Sequence, residues 1–238
     1  MKLNTLGCYG PISGSDGPTS SYLMEVNDKK ILMDMGAGSL INLQKICKME
    51  DIDMVILSHL HADHINDLFI LRYYLKLIDK KIPLYAPNSP ISEFDRFKDE
   101  ECFDVKVLED NMEVKLDDIK ISFLSTEHPV SAFMTKIEYN NKTFVYSGDS
   151  IVNDNLKTFI KGVDFALLDG AFISSQKLNR NTHMSSYEAA KTAVDMNVKK
   201  LMITHLAPFI DIKEYLFDAK KGSDEEILLA VPMLKVKI

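Results

Sequence analysis

The sequence predicts an α/β protein built as a four-layer αβ/βα sandwich, two mixed β-sheets packed face to face with helices outside. Three observations carry this expectation. Short β-branched and aromatic runs outnumber the helical patterns. Hairpins alternate with strand–helix–strand units, which requires sheets holding both antiparallel and parallel pairs. No Gly/Ser linker, charge block or internal repeat divides the 238 residues, a length that suits one domain over 1–238.

The elements follow in order. Lys2–Leu6, Ser21–Val26 and Lys30–Met33 read as strands, the last two joined by an Asn27-Asp28 turn. Leu40, Leu43, Ile46 and Cys47 recur at helical spacing and predict a helix from Ser39 to Met49. Met54–Leu57 is a short buried strand, followed at once by a histidine-rich loop. Asp67 is placed to cap a helix that runs through Ile78. Lys120–Leu124, Ala132–Tyr139 and Lys142–Tyr146 read as consecutive antiparallel strands, with Asn140-Asn141 as a tight turn. Asp164–Leu168 and Lys200–Thr204 are further strands, separated by a Ser185–Met196 helix. Pro232 limits pairing in the last stretch and predicts an edge.

Composition narrows the function classes. At 46% hydrophobic and 26% charged residues, the chain is neither disordered, collagen-like nor of low complexity. The most apolar stretch, Leu68 to Ile78, contains Arg72 and Lys76, so no run of about 20 apolar residues could span a membrane. The opening MKLNTLGCYG reaches glycine and proline too early for a signal-peptide core. Cys8, Cys47 and Cys102 are odd in number and form no C-x-x-C pair, which predicts thiols in a reducing, cytoplasmic setting. A net charge of −7 with no basic run longer than Lys-Lys argues against a broad nucleic-acid-binding surface and leaves room for a small local site.

The chemistry is concentrated after the Met54–Leu57 strand, in Ser-His-Leu-His-Ala-Asp-His. His59, His61, Asp63 and His64 fall within six residues. A loop leaving a rigid strand turns alternate side chains to one side, giving two nitrogen ligands, and Asp63 and His64 then face a neighbouring point. Imidazole and carboxylate suit Zn²⁺, and also Mn²⁺ or Fe²⁺. One loop cannot complete two metal sites. The other three histidines, His128, His183 and His205, and Asp149 in Tyr-Ser-Gly-Asp-Ser each sit where a strand ends or a helix starts. The set predicts a dinuclear metal site.

H-x-H-x-D-H after a strand, then a single His, Gly-Asp and Thr-His, resembles the metallo-β-lactamase superfamily over nearly the whole chain. The resemblance implies the metallo-β-lactamase fold, His59, His61 and His128 on one ion, Asp63, His64 and His205 on the other, and Asp149 bridging. It also implies a hydroxide shared by the two ions as nucleophile. His61 stands where flavodiiron-type members have glutamate, and Asp149 where zinc β-lactamases commonly have cysteine. Glyoxalase II-like thioesterases and lactonases share all seven ligands.

His183-Met-Ser-Ser-Tyr-Glu-Ala-Ala-Lys resembles the ribonuclease Z / zinc phosphodiesterase branch, where a histidine precedes Ser/Thr and a helix. There the histidine is not a ligand. Carried onto His183, the role is to stabilise the pentacoordinate phosphate and protonate the leaving oxygen, with Asp63 assisting. The plain alternative is a helix-capping histidine. Two departures matter. Asn66-Asp67-Leu68-Phe69 replaces Gly-Leu-Pro-Gly, and residues 129–148 have room only for a hairpin where ribonuclease Z places a long tRNA-binding arm. The expected substrate is therefore a small phosphodiester or an RNA 3′ end. The alternatives are a lactone or thioester hydrolase on the same site, and a non-catalytic metal-binding protein.

Three smaller expectations complete the reading. Asp34, at a strand end, either hydrogen-bonds a ligand histidine or caps the glycine turn after it. The Gly10–Ser21 loop either offers backbone N–H groups to phosphate or is only a turn. Glu127 and Glu188 are expected to make surface or helix-face contacts. The helix from Asp67 to Ile78 is apolar around most of its circumference, leaving only Arg72 and Lys76 as a polar stripe, and predicts a homodimer.

Overall fold

The computed structural model describes residues 1–98, 101–176 and 182–238. Among these, two seven-stranded sheets pack face to face. The first contains β1 (Lys2–Gly7), β2 (Ser21–Val26), β3 (Lys29–Met35), β4 (Met54–Ile56), β5 (Ile82–Ala86) and β6 (Phe103–Val107) side by side. The second runs through β7 (Glu113–Leu116), β8 (Ile119–Thr126), β9 (Ala132–Tyr139), β10 (Lys142–Tyr146), β11 (Phe165–Asp169), β12 (Leu201–Thr204) and β13 (Ile227–Leu229). β14 (Lys235–Lys237), just past Pro232, pairs antiparallel with β1 and closes that sheet's edge, as expected. Each sheet is antiparallel on one side and parallel on the other: β3 to β6 are parallel in the first, β10 to β13 in the second.

The layers follow from which residues each strand turns inward. On β2, Tyr22 and Met24 point between the sheets and Leu23 points out; on β3, Ile31 and Met33 point in and Leu32 out. Both faces of these strands are apolar because both are covered, which is why the runs read as continuous rather than alternating. The inner residues meet Ile121, Phe123, Phe144, Phe165 and Met202 of the second sheet. Outside the first sheet lie α1 (Ser39–Gln44), the single turn α2 (Ala62–Ile65), α3 (Leu68–Leu77) and α4 (Ile91–Phe94). Outside the second lie α5 (Asp154–Ile160), α6 (Ser186–Asp195) and α7 (Ile212–Ala219), contributing Leu156, Ala189, Ala193 and Tyr215 to its outer core.

Two helix expectations are corrected. The helix from Ser39 stops at Gln44; Lys45, Ile46 and Cys47 close turns back onto Asn42 and Leu43, and a 3₁₀ turn follows at Met49–Asp51. Ile46 and Cys47 still pack on the same cluster as Leu43, so the apolar period reports burial rather than helix. Asp67 does stand at the N-terminus of α3, but its carboxylate accepts the N–H of Leu40 at 2.8 Å and so serves α1 instead.

Two tyrosines cross the space between the sheets in opposite directions. Tyr22 of the first sheet hydrogen-bonds Thr204 of the second, next to His205. Tyr146 of the second donates to Asp34 of the first at 2.7 Å, and the two rings lie 5.0 Å apart. Tyr146→Phe leaves a buried carboxylate short of one donor. It is expected to lower stability by about 1–3 kcal/mol in urea unfolding with an unchanged denaturant slope. A loss under about 0.5 kcal/mol would mean this bridge is not a stabilising contact.

Candidate metal centre

Every strand that delivers a site residue points the same way, so their carboxyl ends form one rim across both sheets. This is where open α/β sheets place ligands. β3 carries Asp34 one residue before its end; β4 leads into Ser58, His59, His61 and the α2 turn that carries Asp63 and His64. On the second sheet β8 leads to His128, β10 to Asp149, β11 ends at Asp169 and β12 leads to His205. His183 lies two residues before the cap of α6. That cap is Ser185, in a capping box with Glu188, so the helix-capping reading of His183 is set aside. Glu188 thereby makes the helix contact expected of it, and Glu127 is exposed.

All eight residues predicted for the site meet at this rim. Donor atoms of His59, His61, His128 and Asp149 lie within 4.8 Å of one another, as do those of Asp63, His64 and His205. Asp149 stands between the groups: Oδ2 is 3.5 Å from His59 Nε2 and 3.3 Å from His205 Nε2, and Oδ1 is 3.3 Å from His64 Nε2. Asp63 Oδ2 is 3.2 Å from His205 Nε2 and 3.6 Å from His64 Nε2. A metal with bonds of about 2.0–2.1 Å in tetrahedral geometry separates its ligands by about 3.3–3.4 Å, close to these spacings. His64 Nε2 and Asp149 Oδ1 are buried with no hydrogen-bond partner. Orphaned buried groups of this kind are rare and call for an ion. The donor set fits divalent metal.

The ring orientations are set from behind. Asp34, with no exposed surface, accepts the backbone N–H and the hydroxyl of Ser58, each at 2.7 Å, the Tyr146 hydroxyl, and His64 Nδ1 at 2.8 Å. The Ser58 hydroxyl, already donating to Asp34, receives His59 Nδ1–H at 3.1 Å. Both histidines therefore turn Nε2 toward the site. Of the two readings of Asp34, the orienting one is correct. His128 Nδ1 donates to the Thr182 carbonyl at 3.2 Å, which again leaves Nε2 for the site.

Protonation tendencies divide the cluster. Burial first, then neighbouring imidazoles, hold His59 well below its ordinary value; burial also lowers His61 and His128. Burial would lower His64 too, but Asp149, Asp63 and Asp34 outweigh it and raise it. Burial opposes ionisation of Asp149 and Asp63, yet the surrounding histidines hold both below the usual carboxylate range. The site as built calls for positive charge where carboxylates face His64.

Two local constraints fix the rim. Asp34 and His205 both adopt left-handed backbone, φ 53° and 60°. The His205 ring lies against Gly10, where a Cβ would come within 2.0 Å of Nε2, so only glycine fits there. Part of the Gly10–Ser21 loop is engaged through its backbone: Gly10 N–H donates to Leu206, Gly17 to Gly14 and Thr19 to Ala37.

Sequence reasoning missed Asp169. Its carboxylate, with no exposed surface, accepts His183 Nδ1 at 2.9 Å, Ser150 N–H at 3.0 Å and Ala171 N–H at 3.0 Å. Burial pushes the His183 imidazole down, but Asp169 and then Asp149 outweigh it and raise it to about 9. The His183 ring stacks on His205 at 4.9 Å. Beside His128 a cleft of about 610 Å³ is lined by Thr126, Pro129, Val130, Ser131 and Ile151 among others. Among the described residues no helix is long and apolar enough to cross a membrane.

Known proteins share this architecture. The family model for the beta-lactamase superfamily domain matches residues 29–206, and the chain belongs to that superfamily. It carries the histidine/aspartate cluster of a metallo-hydrolase. It is similar to the probable metallo-hydrolase YhfI of Bacillus subtilis, 29% identical over 88% of each chain, and to the crystal structure of YhfI with a TM-score of 0.94 over 99% of this chain and 98% of that one. Ribonuclease Z of Clostridium acetobutylicum is 25% identical over 95% of this chain and 97% of its own. The short form of human tRNase Z shares the fold, with a TM-score of 0.80 at 18% identity over 100% of this chain and 99% of that one.

Asp34→Asn is expected to loosen divalent metal about 10–100-fold in chelator competition, because it releases the His64 and His59 tautomers. An affinity equal to wild type would remove the orienting role from Asp34.

Proposed function

We propose that this chain is a dinuclear-metal-dependent phosphodiesterase, ribonuclease Z-like, acting on a small nucleotide or RNA 3′-end phosphodiester. The observation that carries the reading is the Asp169–His183 pair, joined at 2.9 Å on the lip of the metal cluster. Thiolates leave without protonation, whereas an alkoxide or ribose oxygen requires a proton. A buried carboxylate that fixes and charges a histidine beside the reacting centre suits the second task.

The residues divide the work. His59, His61 and His128 would hold one ion and Asp63, His64 and His205 the other, with Asp149 between them; Zn²⁺ suits the donors best, and Mn²⁺ or Fe²⁺ also fit. Two divalent ions supply charge neutralisation at the phosphoryl oxygens and a strongly acidified water. Asp63 would help hold its ion and assist His183 at the leaving oxygen. Asp169 binds His183 Nδ1 and stabilises the imidazolium, so that the proton on Nε2 passes to the leaving oxygen. The short interval after His128 supports a small substrate: residues 129–148 form the β9–β10 hairpin and its flanks instead of an arm.

The same reading includes a homodimer. On α3, Leu68, Leu71 and Leu75 pack inward while Ile70, Tyr73 and Leu77 stand 55%, 58% and 85% exposed. β14 lies at the far edge of the first sheet and offers no cover from the C-terminal segment. Two copies facing through α3 would remove this apolar area from water. Light scattering at micromolar concentration is expected to give the mass of two chains, and of one chain for Leu77→Glu combined with Tyr73→Glu. A wild-type monomer would exclude the dimer.

Metal-loaded protein is expected to hydrolyse bis(p-nitrophenyl) phosphate and alkyl nucleotide diesters, and to lose activity on chelation. Asp149→Ala is expected to reduce turnover of both by at least about 100-fold. His183→Ala is expected to reduce the alkyl diesters by at least about 100-fold and the nitrophenyl diester less. Inert wild type with both metals bound, or lactone or thioester hydrolysis that survives His183→Ala, would replace the phosphodiesterase assignment.

A further inference from the structure

α7 contributes no metal donor, yet two of its inward side chains hold the segments that carry the His183 side of the site. Tyr215 is fully buried; its hydroxyl donates to the Ala171 carbonyl at 2.7 Å and accepts the Ala207 N–H at 2.8 Å. Ala171 lies two residues past Asp169 and Ala207 two past His205, so this one hydroxyl joins both exits from the sheet. Asp218 is three residues further along α7 and therefore on the same face. It is 2% exposed, and its Oδ2 accepts from Ser174 N–H at 2.9 Å, the Ser174 hydroxyl at 3.0 Å, the Ser186 hydroxyl at 3.0 Å and Tyr187 N–H at 3.2 Å. Its other oxygen meets Lys221 at 3.2 Å.

These donors come from two pieces of chain. Ser174 belongs to the segment that leaves Asp169; Ser186 and Tyr187 open α6 just after His183. At α6 itself Asp218 serves only the Tyr187 N–H, since Ser185 and Glu188 form the capping box. What the carboxylate adds is a joint between the two pieces. The pieces also pair directly, with Ser186 N–H on the Phe172 carbonyl at 2.8 Å, and the Phe172 ring stands edge-on to His183 at 5.8 Å. His183 is thus carried on a short bridge whose pier is α7.

We propose that Asp218, with Tyr215, is a positioning residue that holds the His183 arm in register to deliver its proton. The proposal rests on the reading of His183 as proton donor. A misplaced donor costs most where the leaving group is a poor one, since a displacement of about 1 Å can cost on the order of 100-fold.

The test compares one substrate that needs protonation, an alkyl nucleotide diester, with one that does not, bis(p-nitrophenyl) phosphate, on metal-loaded protein. Asp218→Asn is expected to lower kcat on the alkyl diester about tenfold or more and on the nitrophenyl diester less than about threefold. KM within about twofold of wild type and unchanged bound metal are expected alongside. In a His183→Ala background Asp218→Asn is expected to cause no further loss on the alkyl diester. Tyr215→Phe, which removes only a hydroxyl, is expected to show the same selectivity to a smaller extent and carries the comparison if the Asp218 variant melts below assay temperature. Equal losses on both substrates, loss of metal, or an additive loss in the His183→Ala background would overturn the proposal. If His183→Ala itself shows no leaving-group selectivity, the donor assignment fails first and takes this proposal with it. That outcome is distinct from a selective His183→Ala paired with an unselective Asp218→Asn.

Discussion

Asp34 is a carboxylate without solvent that accepts four hydrogen bonds, and the geometry of the whole rim depends on them. Two come from Ser58 in its own sheet, one from the ligand-side histidine His64, and one from Tyr146 in the opposite sheet. A buried charge is costly unless its lone pairs are filled, so none of the four partners is dispensable. The consequence is structural and chemical at once. The same oxygens that tie the two sheets together dictate which nitrogen His64 presents, and through Ser58 which nitrogen His59 presents.

This coupling is required because neither sheet could form the centre alone. The first supplies His59, His61, Asp63 and His64 from a single loop; the second supplies His128, Asp149 and His205 from three separate strand ends. Spacings of 3.2–3.5 Å between donors on different sheets tolerate little sliding. Tyr22 and Tyr146 cross in opposite directions directly behind these residues, and a slip of one sheet would break both. Electrostatics reinforces the arrangement: on one side His59, His61 and His128 are held below the ordinary imidazole value, and on the other His64 among three carboxylates is raised, which gives the cluster a preferred place for positive charge.

Much of this was legible in the sequence because the relevant signals are local. The H-x-H-x-D-H loop lies within six residues, and His128, Asp149 and His205 each follow a strand whose β-branched run is plain. Other parts lacked such a signal. β5 contains Pro83, which usually weakens a strand reading, and β7 is half exposed, with Glu113 and Lys115 facing solvent. Asp169 is one aspartate among many, and the strand before it reads as ending at Leu168. Its role appears only when the fold sets it 2.9 Å from His183, fourteen residues later in the chain. α7 is eight residues long and mixes lysine, glutamate and aspartate with its apolar positions, so nothing in its pattern distinguishes Tyr215 and Asp218 from surface residues.

Two of the left-handed residues lie at the site and show how its cost is distributed. Asp34 is the next-to-last residue of β3 and His205 the first after β12, and each carries backbone strain of about 1–3 kcal/mol. Such strain persists only where the surroundings over-determine the conformation. For Asp34 the surroundings are the four hydrogen bonds. For His205 they are the Leu206 N–H and carbonyl, which pair with Cys8 and Gly10, and the missing side chain at Gly10 that gives the ring its space. The N-terminal loop is therefore part of the centre although it donates nothing to it. Its glycine holds a histidine ring where a regular strand exit would have turned it away, and its backbone closes the gap between the first strand of the chain and the last histidine.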